Sequence, residues 1–541
     1  MELQDVAQTL GNKIASSYIS GENVAASFFD YPNIQNEETY KERLDELNNR
    51  QFPRQELVDY LLEFHKKFNV SDKTITNIKR MSDPKSVVVI GGQQAGLLTG
   101  PLYSIHKIIS IIKFAKEQEK LLNVPVLPVF WVAGEDHDFA EINHTYVLRD
   151  GRVEKRAIKQ KHYKKSPASK VNIDQNKASD WIKEVISSFG ETIYTNEILN
   201  HLYDDLKKSA TYVDFFNHIV FRLFKEHGLI IVDSGDAGFR KIGSPFIETI
   251  IRNNSELGEK VLCGQLNLKE LGYGQPIEIN EHNAHLFLIQ DEERILLERS
   301  NTQFVGKNNE CRFEDSALIE LNHKQPELFS NNVATRPLMQ EYVFPTLAFI
   351  SGPGEIAYWS ALKKAFHLFG FKVPPVIPRL MISIMDRKSE KYVKELGLDI
   401  AEIVKGGCQK EKEEWLEKQQ PFPIDRLTEE TITLILNAHK PFKELAIQVD
   451  PHLKDLAEKN AELIQSQIYY LKQKMEKSIR FQHKVELDKF DHINHLLKPL
   501  NAPQERIWNI FYYINLYGYQ IIDEMVNLNY QWNNQHKVIT I

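Results

Sequence analysis

The chain is poor in cysteine: Cys263, Cys311 and Cys408 are the only three in 541 residues, and they stand far apart. No C-x-x-C pair arises, which excludes the common zinc and dithiol frameworks. Such sparse use fits a reducing cytosol, and each thiol is expected to be an ordinary buried or surface one. No run of about 18 apolar residues occurs, so no membrane-spanning helix is expected. The opening Met1-Glu2-Leu3-Gln4-Asp5 carries acids and no apolar core, unlike a secretory signal. Excess positive charge is also lacking. A net charge of −7 leaves no electrostatic footprint for nucleic acid or an anionic membrane, so neither is expected as a partner. Internal repeats and low-complexity tracts are absent, and so are the G-x-G-x-x-G and G-x-x-x-x-G-K-[ST] phosphate-binding patterns.

What is present is a globular composition, 42% hydrophobic and 10% aromatic, in a chain too long for one core. Two or three folded units are expected. The most informative segment is Val87-Val88-Val89-Ile90 followed by Gly91-Gly92-Gln93-Gln94-Ala95-Gly96-Leu97-Leu98-Thr99-Gly100-Pro101-Leu102-Tyr103-Ser104-Ile105-His106-Lys107. A β-branched strand enters a glycine loop, which opens an apolar helix over about Ser104 to Leu122. This is the first unit of a Rossmann-like α/β domain, whose ligands sit at the carboxyl end of the strand near exposed helix-start amides. In the blander reading the glycines only permit a tight turn and close packing. A second strand, Pro125–Val132, delivers Glu135-Asp136-His137-Asp138 to the same edge. A second strand–glycine–helix junction follows Thr346–Ile350, at Ser351-Gly352-Pro353-Gly354-Glu355, with a helix from about Ile356 to Phe369.

Around these the chain divides into a helical segment over 1–85, a Rossmann-like core over 86–385 and a helical region over 386–541. In the first, apolar Leu57, Tyr60, Leu61 and Phe64 mark an amphipathic helix near Arg54–Phe68. The core carries insertions near 150–210 and 260–330. Arg149-Asp150-Gly151-Arg152 predicts a hairpin, and the basic tract Lys159–Lys170 reads as a mobile surface loop. Between Pro451 and Leu497 no further glycine or proline occurs. Ala457, Ala461, Ile464, Ile468, Leu471, Met475, Ser478, Gln482 and Val485 there alternate in steps of four and three, a coiled-coil seam over about 451–497. One helix of that length spans roughly 70 Å and must find a partner, either a helix near Glu430–Ile447 or Pro503–Leu528 or a second copy. The fold class is α/β, a Rossmann-like parallel-sheet core with inserted connecting segments plus an α-helical coiled-coil arm.

Chemistry concentrates at the strand ends. His137 between Asp136 and Asp138 suits acid–base work or recognition of an amine, because a carboxylate fixes an imidazole's tautomer and raises its basicity. Alternatively the acids cap a helix and His137 is a satisfied core residue. His106, one turn into the first helix, could meet a phosphate or a developing charge. That placement is similar to class I synthetases, but their H-x-G-H is absent and Lys164-Lys165-Ser166 imitates K-M-S-K-S only distantly. The Asp136-His137-Asp138 cluster could also bind a divalent cation with Glu135 or Glu141, but no further His or Cys lies at ligand spacing, so no structural zinc site is expected and no metal ligand is assigned. In Gln504-Glu505-Arg506-Ile507-Trp508-Asn509, Trp508 could stack on a purine and Arg506 meet phosphate, with Asn509 beside them; a helix start docking on the core explains the same residues.

Taken in order, residues 91–103, 128–139, 352–359 and 504–509 resemble the family of the cysteine ligase of bacillithiol biosynthesis, BshC, over essentially the whole chain. The resemblance implies a cytoplasmic enzyme that joins L-cysteine to the amine of glucosaminyl-malate, and a homodimer through the coiled-coil arm. Amide formation needs an activated carboxylate, so ATP or ADP binding is expected, with Mg²⁺ admitted. Asp136 or Asp138 would hold the cysteine ammonium and His137 would take a proton from the sugar amine. Gln93, Gln94, Gly100, Tyr103, Gly352, Gly354 and Glu355 would bind substrate, Glu355 by orienting sugar hydroxyls or a metal. A nucleotidyl- or glycosyltransferase using the same cleft, and a non-catalytic nucleotide-binding scaffold, are the competing readings.

Overall fold

Four consecutive β-branched residues at Val87–Ile90 resist helix and favour the middle of a sheet, where both faces are covered. In the computed structural model they open β1 (Val87–Gln93), whose first five residues are buried. The structure describes residues 1–7, 11–162 and 164–541. Beside β1 lie β2 (Val126–Val132), β3 (Ile230–Asp233), β4 (Thr346–Ser351) and β5 (Val376–Pro378), in the order β5-β4-β1-β2-β3. Every pairing is parallel. Strand order runs one way from β1 to β3 and the other way from β4 to β5. The switch between β1 and β4 opens a crevice at the carboxyl edge, the position where such sheets bind ligands.

Helix α1 (Leu102–Leu122) follows β1 and packs on β1 and β2. Ile105, Ile108, Ile109, Ile111 and Ile112 are all buried on it, each side chain worth about 1.5–3 kcal/mol of burial. It stops where Asn123 turns left-handed, at φ 53°. The hairpin forms as expected, His144–Arg149 against Arg152–Ala157. The second insertion is a five-stranded antiparallel sheet in the order 312–314, 303–306, 293–300, 283–290, 329–331, preceded by a helix, Asn254–Glu270. The helix expected over Ile356–Phe369 is two: α2 (Pro353–Trp359) and Lys363–Leu368. The amino-terminal segment is not wholly helical. Glu2–Val6 is an edge strand beside His536–Thr540, which also pairs with Ile382–Met385.

The chain forms two compact units, Met1–Ile384 with Ala502–Ile539, and Met385–Asn501 with Thr540–Ile541. The stretch 502–539, grouped by sequence with the arm, is thus part of the α/β unit. It is no continuous helix. Trp508 and Asn509 are extended and Gly518 has φ 81°, leaving Gln504–Ile507, Ile510–Tyr517 and Gln520–Asn527 as short helices. Their apolar faces bury Ile510, Phe511, Ile514, Ile521, Ile522 and Met525.

In the second unit α3 (Ile424–Val449) and α4 (Lys454–Gln482) form an antiparallel pair turned at Pro451. His439 bonds Asn460 at 2.9 Å, and Lys472 bonds Asp425 at 2.5 Å. The expected single helix to Leu497 breaks at His483 before Lys484–Leu497. The seam divides accordingly: Ala457 is buried, Ala461, Ile464 and Ile468 half-buried, while Leu471, Met475, Ser478, Gln482 and Val485 are exposed. No helix of the described residues is long and apolar enough to cross a membrane.

Candidate functional site

At the carboxyl edge, over the β1/β4 switch, lies a cavity of about 640 Å³ within the first unit. Strand ends supply Gly92, Gln93, Trp131 and Gly352, α1 supplies Tyr103 and Lys107, and the antiparallel sheet supplies Phe287 and Arg294. Arg336 and Gln340 enter from the helix Thr335–Val343. Five Lys or Arg residues (Lys107, Arg294, Arg336, Arg379, Arg506) face three acids (Asp136, Glu278, Glu355), so the lining has a cationic excess. That excess suits carboxylate or phosphate oxygens.

Each buried cation is held in place. Lys107 Nζ donates to Gly92 O at 2.6 Å and Glu355 Oε2 at 2.5 Å. Burial pulls its ammonium below the ordinary lysine range, partly offset by Glu355. Glu355 also caps α2 by accepting the Gly352 N–H at 2.6 Å. Arg336 Nε donates to Glu135 Oε1 at 2.8 Å, and Glu135 Oε2 accepts the Asn331 N–H. Burial opposes the charge on Arg336, but Glu135 and Asp136 outweigh it and raise its affinity for the proton. Arg379 reaches Glu505 through two bonds of 2.6 Å, a bidentate pair. Burial alone would raise the Glu505 carboxyl; Arg379 and His106 overcome this and hold it far below the usual carboxylate range. Two buried donors in residues lining the cavity, Trp131 Nε1 and Gln340 Nε2, have no hydrogen-bond partner among the described residues.

The structure brings Gln93, Gln94, Tyr103, Asp136, His137, Gly352, Gly354, Glu355 and Arg506 to this one cavity. Asp136 accepts the His137 N–H at 3.0 Å and lies 3.5 Å from Arg294 and from Gln94 Nε2. Burial opposes its ionisation, yet Arg336 and Arg294 keep its carboxyl below the ordinary value. Arg294 NH1 meets His137 Nδ1 at 3.0 Å. Burial, then Arg294, lowers the His137 imidazole.

Five expected site residues do not line the cavity. Asp138 is exposed and caps the short helix Phe139–Ile142 through the Ala140 N–H, so its carboxylate serves a helix end. His106 is fully buried, its Nδ1 3.1 Å from Glu505, and burial lowers its pKa, so it supplies no cation to the cavity. Gly100, Trp508 and Asn509 instead build the loop beneath the cavity. Leu98, Thr99 and Gly100 carry φ of 51°, 72° and 70°, and the Asn509 amide donates to Leu98 O and Gly100 O at 2.8 Å each. Trp508 O accepts the Leu102 N–H, and its ring stacks on Tyr512 rather than facing an open purine site.

Two of the loop's glycines are not in a loop. Gly91 and Gly92 lie within β1, where an added Cβ would meet Ile350 O or Trp131 O at 2.7 Å. They serve close strand packing, the blander reading of those glycines. Nor is the basic tract a loose loop. Ser169 Oγ bonds Asp233 at 2.7 Å, the Ala168 N–H donates to Asp136 O at 2.7 Å, and Lys165 O accepts the Arg294 N–H. Tyr163 of that tract lies outside the described residues. Arg294 and Arg336 escaped sequence reasoning because each is a lone arginine, in a strand or a helix far along the chain from the glycine loop. Among the described residues no group of three or more His, Cys, Asp and Glu side chains is placed to hold a metal. The cysteines are free, Cys408 buried and the other two half-buried.

Comparison with known proteins agrees across the full length. Residues 1–380 match the family model described as "Bacillithiol biosynthesis BshC, N-terminal Rossmann-like domain", and residues 382–541 match "Bacillithiol biosynthesis BshC, C-terminal coiled-coil domain". Proteins named "Putative cysteine ligase BshC" from Geobacillus sp. strain WCH70, Bacillus licheniformis and Bacillus cytotoxicus are each 43% identical, with 100% of both chains covered.

Proposed function

The chain belongs to the BshC family of bacillithiol biosynthesis, and on that premise we propose that it is a cytoplasmic ligase joining L-cysteine to the amine of glucosaminyl-malate. The observation that carries this reading is the cationic cavity at the β1/β4 switch. Glucosaminyl-malate brings two carboxylates, a sugar and an amine; Lys107, Arg336, Arg379 and Arg506 match the carboxylates, and Asp136 matches an ammonium. Tyr103, Phe287 and Tyr358 add aromatic surface for a sugar face.

ATP, when bound, supplies activation of the cysteine carboxylate. The same cations fit its phosphate oxygens, whereas Trp508 and Asn509 are occupied in the loop and do not fit its base. Mg²⁺, lacking a protein cage among the described residues, would arrive with the phosphates. The chain's own contribution is to bind, orient and exclude water. Lys107 and Glu355 fix the floor, the Arg379–Glu505 pair fixes a donor, and Asp136 holds an ammonium. We further propose a homodimer through the exposed apolar face of the α3–α4 pair.

Calorimetry tests the binding half. Glucosaminyl-malate should bind the wild type, glucosamine without malate should bind far more weakly, and Lys107→Met should weaken binding about 10–100-fold, the worth of a charged hydrogen bond. Equal affinity for both sugars would overturn the assignment of the cations to malate.

A further inference from the structure

Among the described residues His137 is the one imidazole lining the cavity, and what it can do depends on which nitrogen carries its proton. Arg294 NH1 lies 3.0 Å from His137 Nδ1. A guanidinium has donors only and stays protonated, so Nδ1 must accept. A ring turned over by 180° would set a C–H against the guanidinium and lose the bond. Arg294 is itself fixed on every side. Its Nε donates to Ser330 Oγ at 2.9 Å, its NH2 to Asn331 O at 2.8 Å, and its plane covers the Phe287 ring at 3.9 Å. Its side chain is 2% exposed, so it has little room to turn away. The charged groups acting on His137 are Arg294, Asp136, Lys165 and Asp138.

We infer that Arg294 is a positioning residue that keeps Nδ1 of His137 bare and its proton on Nε2, making His137 a hydrogen-bond donor to the reacting carbonyl and not a base. The catalytic half of this inference rests on the ligase reading; the tautomer does not. In amide formation the amine nitrogen bonds the carboxyl carbon and the C=O pair moves onto oxygen. That pair returns as the bond to the leaving oxygen breaks, and the amine proton leaves on the departing phosphate group. A bare Nε2 would take that proton. An Nε2–H cannot, and donates instead to the oxygen as negative charge builds on it.

Full-length protein labelled with ¹⁵N-histidine decides the tautomer, the His137 signals being assigned by their loss in His137→Gln. The expected pattern at pH 7 and above is a bare Nδ1 and a protonated Nε2. In Arg294→Met the ring should sample both tautomers, and its proton affinity should rise as the neighbouring positive charge is removed. A protonated Nδ1, or an imidazolium at pH 7, in the wild type would overturn the inference whether or not Arg294→Met folds. Turnover decides the role. A glutamine amide places an N–H near the Nε2 position but is no base, so His137→Gln should keep at least about tenfold more ligation rate than His137→Ala. Equal losses would overturn the donor role. A wild type that binds both substrates and ATP yet never ligates would overturn the ligase reading, and the NMR result would still decide the tautomer.

Discussion

At the scale of single residues, buried charge is tolerated in this protein only where a partner stands within bonding distance. Glu505 is the sharpest case, gripping Arg379 with both oxygens and His106 with one. Glu505→Gln should cost about 3–5 kcal/mol, the usual result of breaking a buried pair, and urea denaturation checks it. Asp136→Asn and His137→Ala touch half-buried cavity residues and should leave the denaturation midpoint near wild type while product formation falls about 10²–10³-fold, as for loss of one aimed donor or charge partner. His65 makes a separate prediction about acid. Its Nδ1–H donates to Leu61 O, its Nε2 accepts the Ile231 N–H, and burial lowers its pKa from 6.5 to about 4. The folded state therefore binds fewer protons than the unfolded one, so this contribution is complete above pH 6.5 and is lost as pH falls through 4. It amounts to about 3 kcal/mol. Asp233, raised to about 6 by burial, works in the opposite sense, and His285, lowered to about 4, reinforces His65. Net stability should decline from pH 6.5 to 4, and an NMR titration midpoint of His65 near 6.5 would contradict the assignment.

Secondary-structure elements show what a linear sequence can and cannot reveal. The strand at Val87–Ile90, the helix after it and the Asp-Gly hairpin were legible because β-branching, apolar spacing and turn chemistry act locally. That Gly91 and Gly92 belong to the strand was not legible, because nothing local reports that Ile350 and Trp131 approach them from neighbouring strands. Asn509 was read as a ligand contact for a similar reason, since its partners, Leu98 and Gly100, are some 400 positions earlier in the chain. Asn509→Ala should destabilise the protein by about 1–3 kcal/mol, because two buried carbonyls lose their donor in a loop already carrying left-handed non-glycine residues. The heptad seam was legible as a pattern, but not its division between two uses. Ile468 is half-buried in a helix paired with α3, whereas Leu434, Leu463 and Leu471 are exposed. If the outward face joins two copies, Leu463→Lys with Leu471→Lys should yield monomers by light scattering with unchanged helix content. A stable dimer in that variant would remove the face from the interface.

Across the whole molecule, a parallel sheet reverses its strand order between β1 and β4, and segments far apart in sequence send arginines to that one crevice. Family membership was readable from motif order, whereas the cationic character of the cavity was not, because Arg294, Arg336 and Arg379 belong to no motif. We propose that this cavity ligates cysteine to a malate-bearing amino sugar. Mass spectrometry of purified full-length protein incubated with L-cysteine, glucosaminyl-malate, ATP and Mg²⁺ is the decisive measurement. The expected product has the summed mass of the two substrates less one water, forms only when both substrates and ATP are present, and is diminished in Lys107→Met at substrate levels that do not saturate the variant. Its absence with the wild type under conditions where both substrates bind, or its undiminished formation by Lys107→Met under those conditions, would overturn the proposal.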